Sequence, residues 1–361
     1  MYPKLVIDLE KLKTNLDAVA KITTDQGNCS LMIVTKGLCA NKEMVKLVAN
    51  HPTVRYMADS RVKNLASYAE FVRENGKETV LLRLPMHAEI EEVVRYADIS
   101  FNSEISTIRL LDQEAARQGT KHKIVLMIDL GDLREGLFYE NRELIFSTIE
   151  EIIQLENIEF YGIGVNLTCY GAIIPKQENL AILTQWASEI EKKFDLQLTM
   201  VSGGNSSSIY LIEKGELPKG INNLRLGEAF LLGNDTAYGK KLPGTTGDAI
   251  SLEAQIIEIQ EKPSLPIGEV GVDAFGQKPI YEDRGVIKRA IVGIGKQDTD
   301  LDSMRPYDEK VEILGGSSDH LILDVSKSET AYKVGDIVQF EVGYGGMLKL
   351  STSPYVEKFY L

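Results

Sequence analysis

The chain is short of what several protein classes require. Its 361 residues include only three cysteines, Cys29, Cys39 and Cys169. They are too few and too irregularly spaced for a disulfide framework or a zinc site, so no metal is expected and a reducing compartment is favoured. Basic residues are outnumbered, 40 against 53 acidic ones, giving a net charge of -13. That excludes the electrostatic footprint of a nucleic-acid or anionic-membrane partner, yet leaves room for a local basic pocket around one phosphate. No run of about 18 apolar residues occurs, and the start, Met1-Tyr-Pro-Lys-Leu-Val-Ile-Asp8, has no basic segment followed by an apolar one. The chain reads as neither exported nor membrane-spanning, with the cytoplasm as the expected location.

What is present is a composition able to build a core, 43% hydrophobic and 26% charged. At roughly 100–200 residues per domain the length fits two or three domains, or one large α/β barrel with an appendage. From Asp8 to about Gly233, short β-branched runs alternate with segments of helical period, the pattern of repeated βα units. Strands are expected at 31–35, 54–57, 79–82, 99–101, 123–129, 158–165, 198–201 and 223–226. A first helix opens after Asp8 with Leu9, Leu12, Leu16 and Val19 on one face, and others are expected at 61–74, 104–118 and 179–194. Eight parallel strands imply an α/β fold, a closed (β/α)8 TIM-like barrel. After about Lys240 helical periodicity stops, and strand-like runs at 251–259, 286–294, 311–314, 321–325 and 337–342 alternate with turns. The expected division is a barrel over 1–237 and a C-terminal mainly-β domain over 238–361, with residues 1–7 set apart as a segment able to pair with the β-domain.

In such a barrel, reactive residues belong at the carboxyl ends of strands. Three segments there carry chemistry. Lys36 ends the first buried run, Leu31-Met-Ile-Val-Thr-Lys36, where a desolvated ammonium becomes a nucleophilic amine. The turn Ser202-Gly-Gly-Asn205-Ser206-Ser-Ser leaves the seventh strand and offers N–H groups and hydroxyls to a phosphate. Arg225-Leu-Gly227-Glu228 on the eighth strand adds a cation and a close backbone approach. Each has a plainer reading: Lys36 snorkelling to solvent, Ser206 capping a helix, Gly227 making a turn.

Taken together, these segments resemble the alanine racemase fold of pyridoxal-phosphate enzymes over nearly the whole chain. The resemblance implies that Lys36 bonds the pyridoxal 5'-phosphate, that Asn205 and Ser206 hold its phosphate, and that Arg225 of Arg225-x-Gly227 faces its ring nitrogen. Tyr355 of Thr352-Ser-Pro-Tyr355-Val resembles the tyrosine that reaches the phosphate. Asp129-Leu-Gly-Asp-Leu-Arg134-Glu-Gly136 resembles the loop whose arginine, here Arg134, lies near the substrate carboxylate. Gly315-Gly-Ser-Ser318-Asp319-His320 resembles a further conserved-type segment in which a methionine stands where this chain has Ser318.

Departures accompany the matches. The family's Ala-Asn-Ala-Tyr after the lysine is Gly37-Leu-Cys-Ala40 here, its frequently carbamylated lysine is Met127, and its histidine near the ring is Asn166. Its second base, a tyrosine in Gly-Tyr-x-Asp-Gly, falls on Val292-Gly-Ile294-Gly-Lys-Gln-Asp298, which has none. This set, with Leu224-Arg-x-Gly-Glu228 and Ser317-Ser-Asp-His320, is more similar to the branch of alanine/ornithine racemases. The resemblance implies an amino-acid racemase acting by two bases, with Lys36 on one face of Cα. Asp298, Asp319, His320 and Tyr344 are the candidates for the other face, contributed by the β-domain of a partner in a homodimer with a shared active site. An acidic residue among Asp298, Asp319 and Glu228 could pair a distal ammonium, so a small basic amino acid such as ornithine or lysine is the expected substrate. Alanine or broad specificity is the alternative. A related decarboxylase, aldolase or dehydratase, a non-catalytic cofactor-carrying homeostasis protein, and a phosphate-sugar barrel enzyme are the rival readings.

Overall fold

The chain opens with a four-residue strand, β1 (Lys4–Ile7), and a helix, α1 (Leu9–Ala20), whose Leu12, Leu16 and Val19 are buried along one face. A computed structural model describes residues 1–361. The residues fall into two units, Lys11–Gly247 and, separately, Met1–Glu10 together with Asp248–Leu361.

In the first unit the apolar runs become β2 (Ser30–Val34), β3 (Val54–Asp59), β4 (Glu78–Leu81), β5 (Ile99–Asn102) and β6 (His122–Asp129). A two-residue strand, β7 (Leu137–Phe138), flanks β6, and β8 (Ile158–Gly164), β9 (Met200–Ser202) and β10 (Asn223–Leu226) complete the set. Omitting β7, the eight pair in parallel in the order β2-β3-β4-β5-β6-β8-β9-β10, and β10 returns to β2, closing the barrel. Alternate residues point inward and fill it: Met32 and Val34, Tyr56 and Ala58, Ile99 and Phe101, Val125 and Met127. Gly162 sits where β8 and β9 approach so closely that an added Cβ would lie 1.8 Å from the Met200 carbonyl oxygen.

The intervening helices are α2 (Lys42–Ala49), α3 (Val62–Ala66), α4 (Ala69–Glu74), α5 (Ile90–Tyr96), α6 (Ile105–Gln118), α7 (Arg142–Ile152), α8 (Gln177–Phe194), α9 (Tyr210–Glu213) and α10 (Glu228–Leu232). Local chemistry sets several ends. Asn41 caps α2 by accepting from Glu43 N and Met44 N, Asn141 caps α7 from Leu144 N, and Gly119 stops α6 at φ 67°. One expectation is corrected here. The helix read at 61–74 is two helices, broken at Ser67–Tyr68, because Tyr68 takes φ -140° and turns its ring into the interior.

The second unit holds β11 (Ile250–Pro263), β12 (Val286–Val292), β13 (Met304–Pro306), β14 (Glu312–Gly316), β15 (Leu321–Asp324), β16 (Ile337–Val342), α11 (Tyr344–Thr352) and β17 (Glu357–Tyr360). Its sheet runs β13-β16-β11-β12-β15-β14, and β1 joins it antiparallel to β11 and parallel to β17. Helical structure therefore does not stop at residue 240. In α11 the buried Met347 and Leu350 are spaced helically, but the Gly345-Gly346 pair in its first turn hides the period. No helix is long and apolar enough to cross a membrane.

Candidate active site

Register brings the first two features together. In β10, Arg225 lies opposite Met32 and Leu226 opposite Ile33 of β2. A Cβ on Gly227 would stand 3.4 Å from Val34 Cβ, so the chain leaving β10 runs against the chain that leads into Lys36. Lys36 starts a single 3-10 turn, Lys36–Leu38, and is exposed at the carboxyl end of β2. Glu228 is half-buried beside it: burial lifts its carboxyl to about 7, and the Lys36 charge works the other way. Its carboxylate makes no hydrogen bond. Glu228 is thus an acid that titrates near neutral pH beside the Lys36 side chain.

Arg225 is 4% exposed and reaches only neutral acceptors. Its Nη1 donates to Ser202 Oγ at 2.7 Å, and its Nη2 donates to the Val165 carbonyl at 2.8 Å and to Asn166 Oδ1 at 3.5 Å. The guanidinium carbon is 5.2 Å from the centre of the Phe101 ring. Burial without an anionic partner lowers its pKa to about 10, although Glu135 and Cys169 favour its charge. It remains a cation at neutral pH. Asn166, 8% exposed, keeps a buried Nδ2 with no partner at the same place.

The turn after β9 converges there too. Asn205 Oδ1 accepts from Ser207 N at 2.8 Å, and its Nδ2 donates to the Leu167 carbonyl at 2.9 Å and to Asn166 Oδ1 at 3.2 Å. Ser206 Oγ accepts from Gly227 N at 3.3 Å and Ala229 N at 3.1 Å, and Ser207 Oγ is buried without a partner. The Gly227 and Ala229 N–H groups therefore meet the Ser206 hydroxyl at one spot, donors of the kind a phosphate takes. With Lys36 at one end and, at the other, the unpaired Asn166 Nδ2 beside a guanidinium whose hydrogen bonds all go to neutral acceptors, these residues fit an aromatic aldehyde phosphate such as pyridoxal phosphate.

Sequence reasoning missed the framework that carries Arg134. Asp129 Oδ1 accepts from Gly131 N at 2.9 Å and Leu133 N at 3.2 Å, folding its own loop. Asp132, 1% exposed, accepts three backbone N–H groups, those of Thr168, Tyr170 and Gly171, at 3.0–3.1 Å, and so ties that loop to the one after β8. Gly136 closes the loop at φ 125°, where a Cβ would meet Asp129 N at 2.6 Å. Burial opposes the Arg134 charge, but the Glu135 carboxylate paired with it more than offsets this and holds the pKa high. Cys169 Sγ faces Arg134 and lies 3.3 Å from Asn205 Nδ2. The signal in the sequence was the density of acids among glycines in Asp129–Gly136, which motif matching read as one arginine.

The remaining candidates lie in the second unit. The 295–297 segment bonds to 317–318 through Lys296 N to the Ser317 carbonyl at 2.9 Å and Gln297 N to the Ser318 carbonyl at 3.2 Å. This places Asp298, Asp319 and His320 on neighbouring loops. Asp298 is buried and accepts from Ser353 Oγ at 2.6 Å, and Ser353 Oγ in turn takes the Tyr355 N–H at 3.1 Å. Asp319 is exposed and accepts from Ser318 Oγ at 2.6 Å, and the exposed His320 has Nδ1 3.4 Å from Ser317 Oγ. Tyr344 opens α11, Tyr355 is 69% exposed, and Ile294 is core.

Three comparisons bear on the chain. Residues 7–235 match the family model of the alanine racemase N-terminal domain. Ornithine racemase of Acetoanaerobium sticklandii is 54% identical over 358 residues, covering 99% of each chain. Lysine racemase of Thermotoga maritima is 37% identical over 362 residues, covering 100% of this chain and 99% of that one. Among solved structures, alanine racemase from Bartonella henselae with covalently bound pyridoxal phosphate superposes with a TM-score of 0.74 at 17% identity, covering 100% of both chains. At that identity the likeness is one of fold.

Proposed function

Since the chain belongs to the alanine racemase family, we propose that it is a pyridoxal-phosphate-dependent racemase interconverting L- and D-ornithine, or a similar basic amino acid, by proton transfer at Cα. The observation that carries this reading is the buried Arg225, which has only neutral partners and lies beside the unpaired Asn166 amide in the barrel that Lys36 crowns. Asn205, Ser206 and the Gly227 and Ala229 N–H groups would hold the cofactor phosphate, Lys36 its aldehyde carbon and Arg225 its ring nitrogen, with Tyr355 a further phosphate partner. Bound there, the cofactor supplies the electron sink that makes the Cα proton acidic.

The chain's own residues then divide the work. Lys36 holds or takes the proton on one face of Cα. Arg134, oriented by Glu135 and by the loop that Asp129 and Asp132 tie down, binds the substrate carboxylate. Glu228 is the acid of the three candidates that belongs to the barrel unit and lacks a hydrogen bond, and it is assigned to the distal ammonium. The proton on the other face comes from Asp298, Asp319, His320 or Tyr344 of a second copy of the chain, in a homodimer with a shared site.

The test is loss of optical rotation in L-ornithine, lysine, alanine and serine. Ornithine or lysine is expected to lead, and Lys36→Ala to abolish turnover together with the borohydride-fixed cofactor adduct. Equal turnover of alanine and ornithine removes the assignment of a basic substrate. A cofactor-loaded chain that turns over none of the four supports a carrier without catalysis. Because Glu228 ionises as pH rises through about 7 while a distal ammonium stays charged, KM for ornithine should fall between about pH 6 and 8. Glu228→Gln should raise that KM about tenfold and flatten its pH dependence.

A further inference from the structure

Directly behind Lys36 lies a closed group of buried polar side chains with no part in holding cofactor or substrate. Thr35, fully buried, donates Oγ1–H to Asp59 Oδ2 at 2.7 Å, with the Tyr68 hydroxyl 3.1 Å from the same Oγ1. The same Oγ1 lies 3.2 Å from the Ala58 carbonyl, so one hydroxyl joins Tyr68, Asp59 and the backbone of β3. The other Asp59 oxygen accepts from Arg61 N at 2.9 Å and Asn64 Nδ2 at 3.0 Å. No lysine or arginine pairs with this carboxylate, which is 0% exposed, and burial raises its pKa against those hydrogen bonds.

Such an arrangement is costly in two ways. A buried carboxylate without a cation is held by hydrogen bonds alone, where an apolar residue would pack at lower cost. The helical run from α3 to α4 is interrupted at Tyr68, which is 5% exposed and turned inward to reach Thr35. Both costs converge on one residue. Thr35 is also held through its backbone: its N donates to the Ala58 carbonyl at 2.8 Å, and its carbonyl accepts from Leu38 N at 3.3 Å and Ala40 N at 3.2 Å. The Lys36 ammonium itself makes no hydrogen bond, so its direction is set at its root, by the backbone of the residue before it.

We propose that Thr35, Asp59 and Tyr68 are positioning residues for the Lys36 amine, fixing the direction from which it approaches the substrate Cα. The inference rests on the reading of Lys36 as the base on one face. A displacement of about 1 Å at a reacting group is enough to cost on the order of a hundredfold in rate.

The experiment compares Thr35→Val, which keeps shape and loses the hydroxyl, with Thr35→Ser, which keeps the hydroxyl, and with Tyr68→Phe. Each cofactor-loaded variant is assayed with L- and D-ornithine deuterated at Cα, and capture of pyridoxal phosphate by the cofactor-free chain is followed by borohydride fixation and mass spectrometry. Thr35→Val should lower kcat about ten- to a hundredfold with KM within about twofold, and slow capture about tenfold. It should raise the primary isotope effect for one enantiomer only, the one whose proton Lys36 takes. Thr35→Ser should restore all three readouts, and Tyr68→Phe should shift the isotope effect in the same one-sided way to a smaller degree. A merely structural role would lower the melting temperature and leave the two isotope effects in their wild-type ratio. That ratio unchanged in folded Thr35→Val, or in Tyr68→Phe where Thr35→Val does not fold, overturns the proposal. A wild-type adduct that maps to a residue other than Lys36 overturns the reading of the site as well, which tells the two failures apart.

Discussion

Single residues here owe their properties to what surrounds them, and Arg225 is the plainest instance. Burial pulls it to about 10 and no further, so it is charged at every physiological pH and cannot accept a proton from a ring nitrogen facing it. Set against the ring nitrogen of a bound cofactor, as proposed, Arg225 would keep that ring a weak electron sink, which would favour quick return of the proton to Cα over its delivery elsewhere. Arg225→Glu should therefore raise formation of the pyridoxamine form during turnover of ornithine, read by its absorbance; unchanged formation counts against this role. His122 gives a stability prediction of defined sign. It is fully buried on β6, with Nε2 2.7 Å from Ser100 Oγ, and burial lowers its pKa to about 4. Between about 6.5 and 4 the unfolded chain takes a proton that the folded chain refuses, so stability falls as pH drops through that window, by about 3 kcal/mol at most. His122→Gln should lose that part of the acid sensitivity, measured as the difference in urea midpoint between pH 7 and pH 4.5.

Elements were legible wherever a run was buried on both faces. The strand read at 223–226 is β10 to the residue, and those read at 99–101, 123–129 and 158–165 differ from β5, β6 and β8 by one residue at one end. Parallel barrel strands are continuous apolar runs, which is why they announce themselves. The segment read at 198–201 begins two residues late because Leu198 and Thr199 serve the turn into β9, with Leu198 N bonded to the Glu191 carboxylate. The break at Tyr68 left no trace in the pattern, since Val62, Leu65, Ala69 and Val72 keep helical spacing across it and the cause lies at Thr35, just after β2, and Asp59 on β3. At this scale Gly162 is the sharpest prediction. Gly162→Ala puts a methyl 1.8 Å from the Met200 carbonyl, so β8 and β9 must separate, and a loss of about 2–4 kcal/mol is expected in equilibrium unfolding. A melting temperature within a degree of wild type contradicts that register.

For the whole molecule, the residues legible in the sequence are those proposed to touch a ligand, because a strand-end lysine, a serine in a glycine turn and an Arg-x-Gly have plain readings singly but point to one chemistry when they occur together. Lys36, Arg225, Asn205 and Ser206 belong to that kind. Their supports, Asp59, Asp132 and Glu135, are acids whose work depends on partners about 24 to 39 positions away or on a neighbour in a loop, and a single chain of letters gives such pairings no spacing. The second acid–base group stayed open for the same reason, since Asp298, Asp319 and His320 lie in loops and Tyr344 opens a helix, and no spacing in the sequence singles out one of them.

The placement of β1 has a consequence for how the molecule comes into being. Its partners are residues 250–253 and 357–360, whereas the barrel's strands all pair within residues 30–226. During synthesis, then, the barrel can close while β1 stays unpaired, and β1 gains its neighbours only once residues 250–253 and 357–360 have emerged. A strand made before the barrel is thus folded after it.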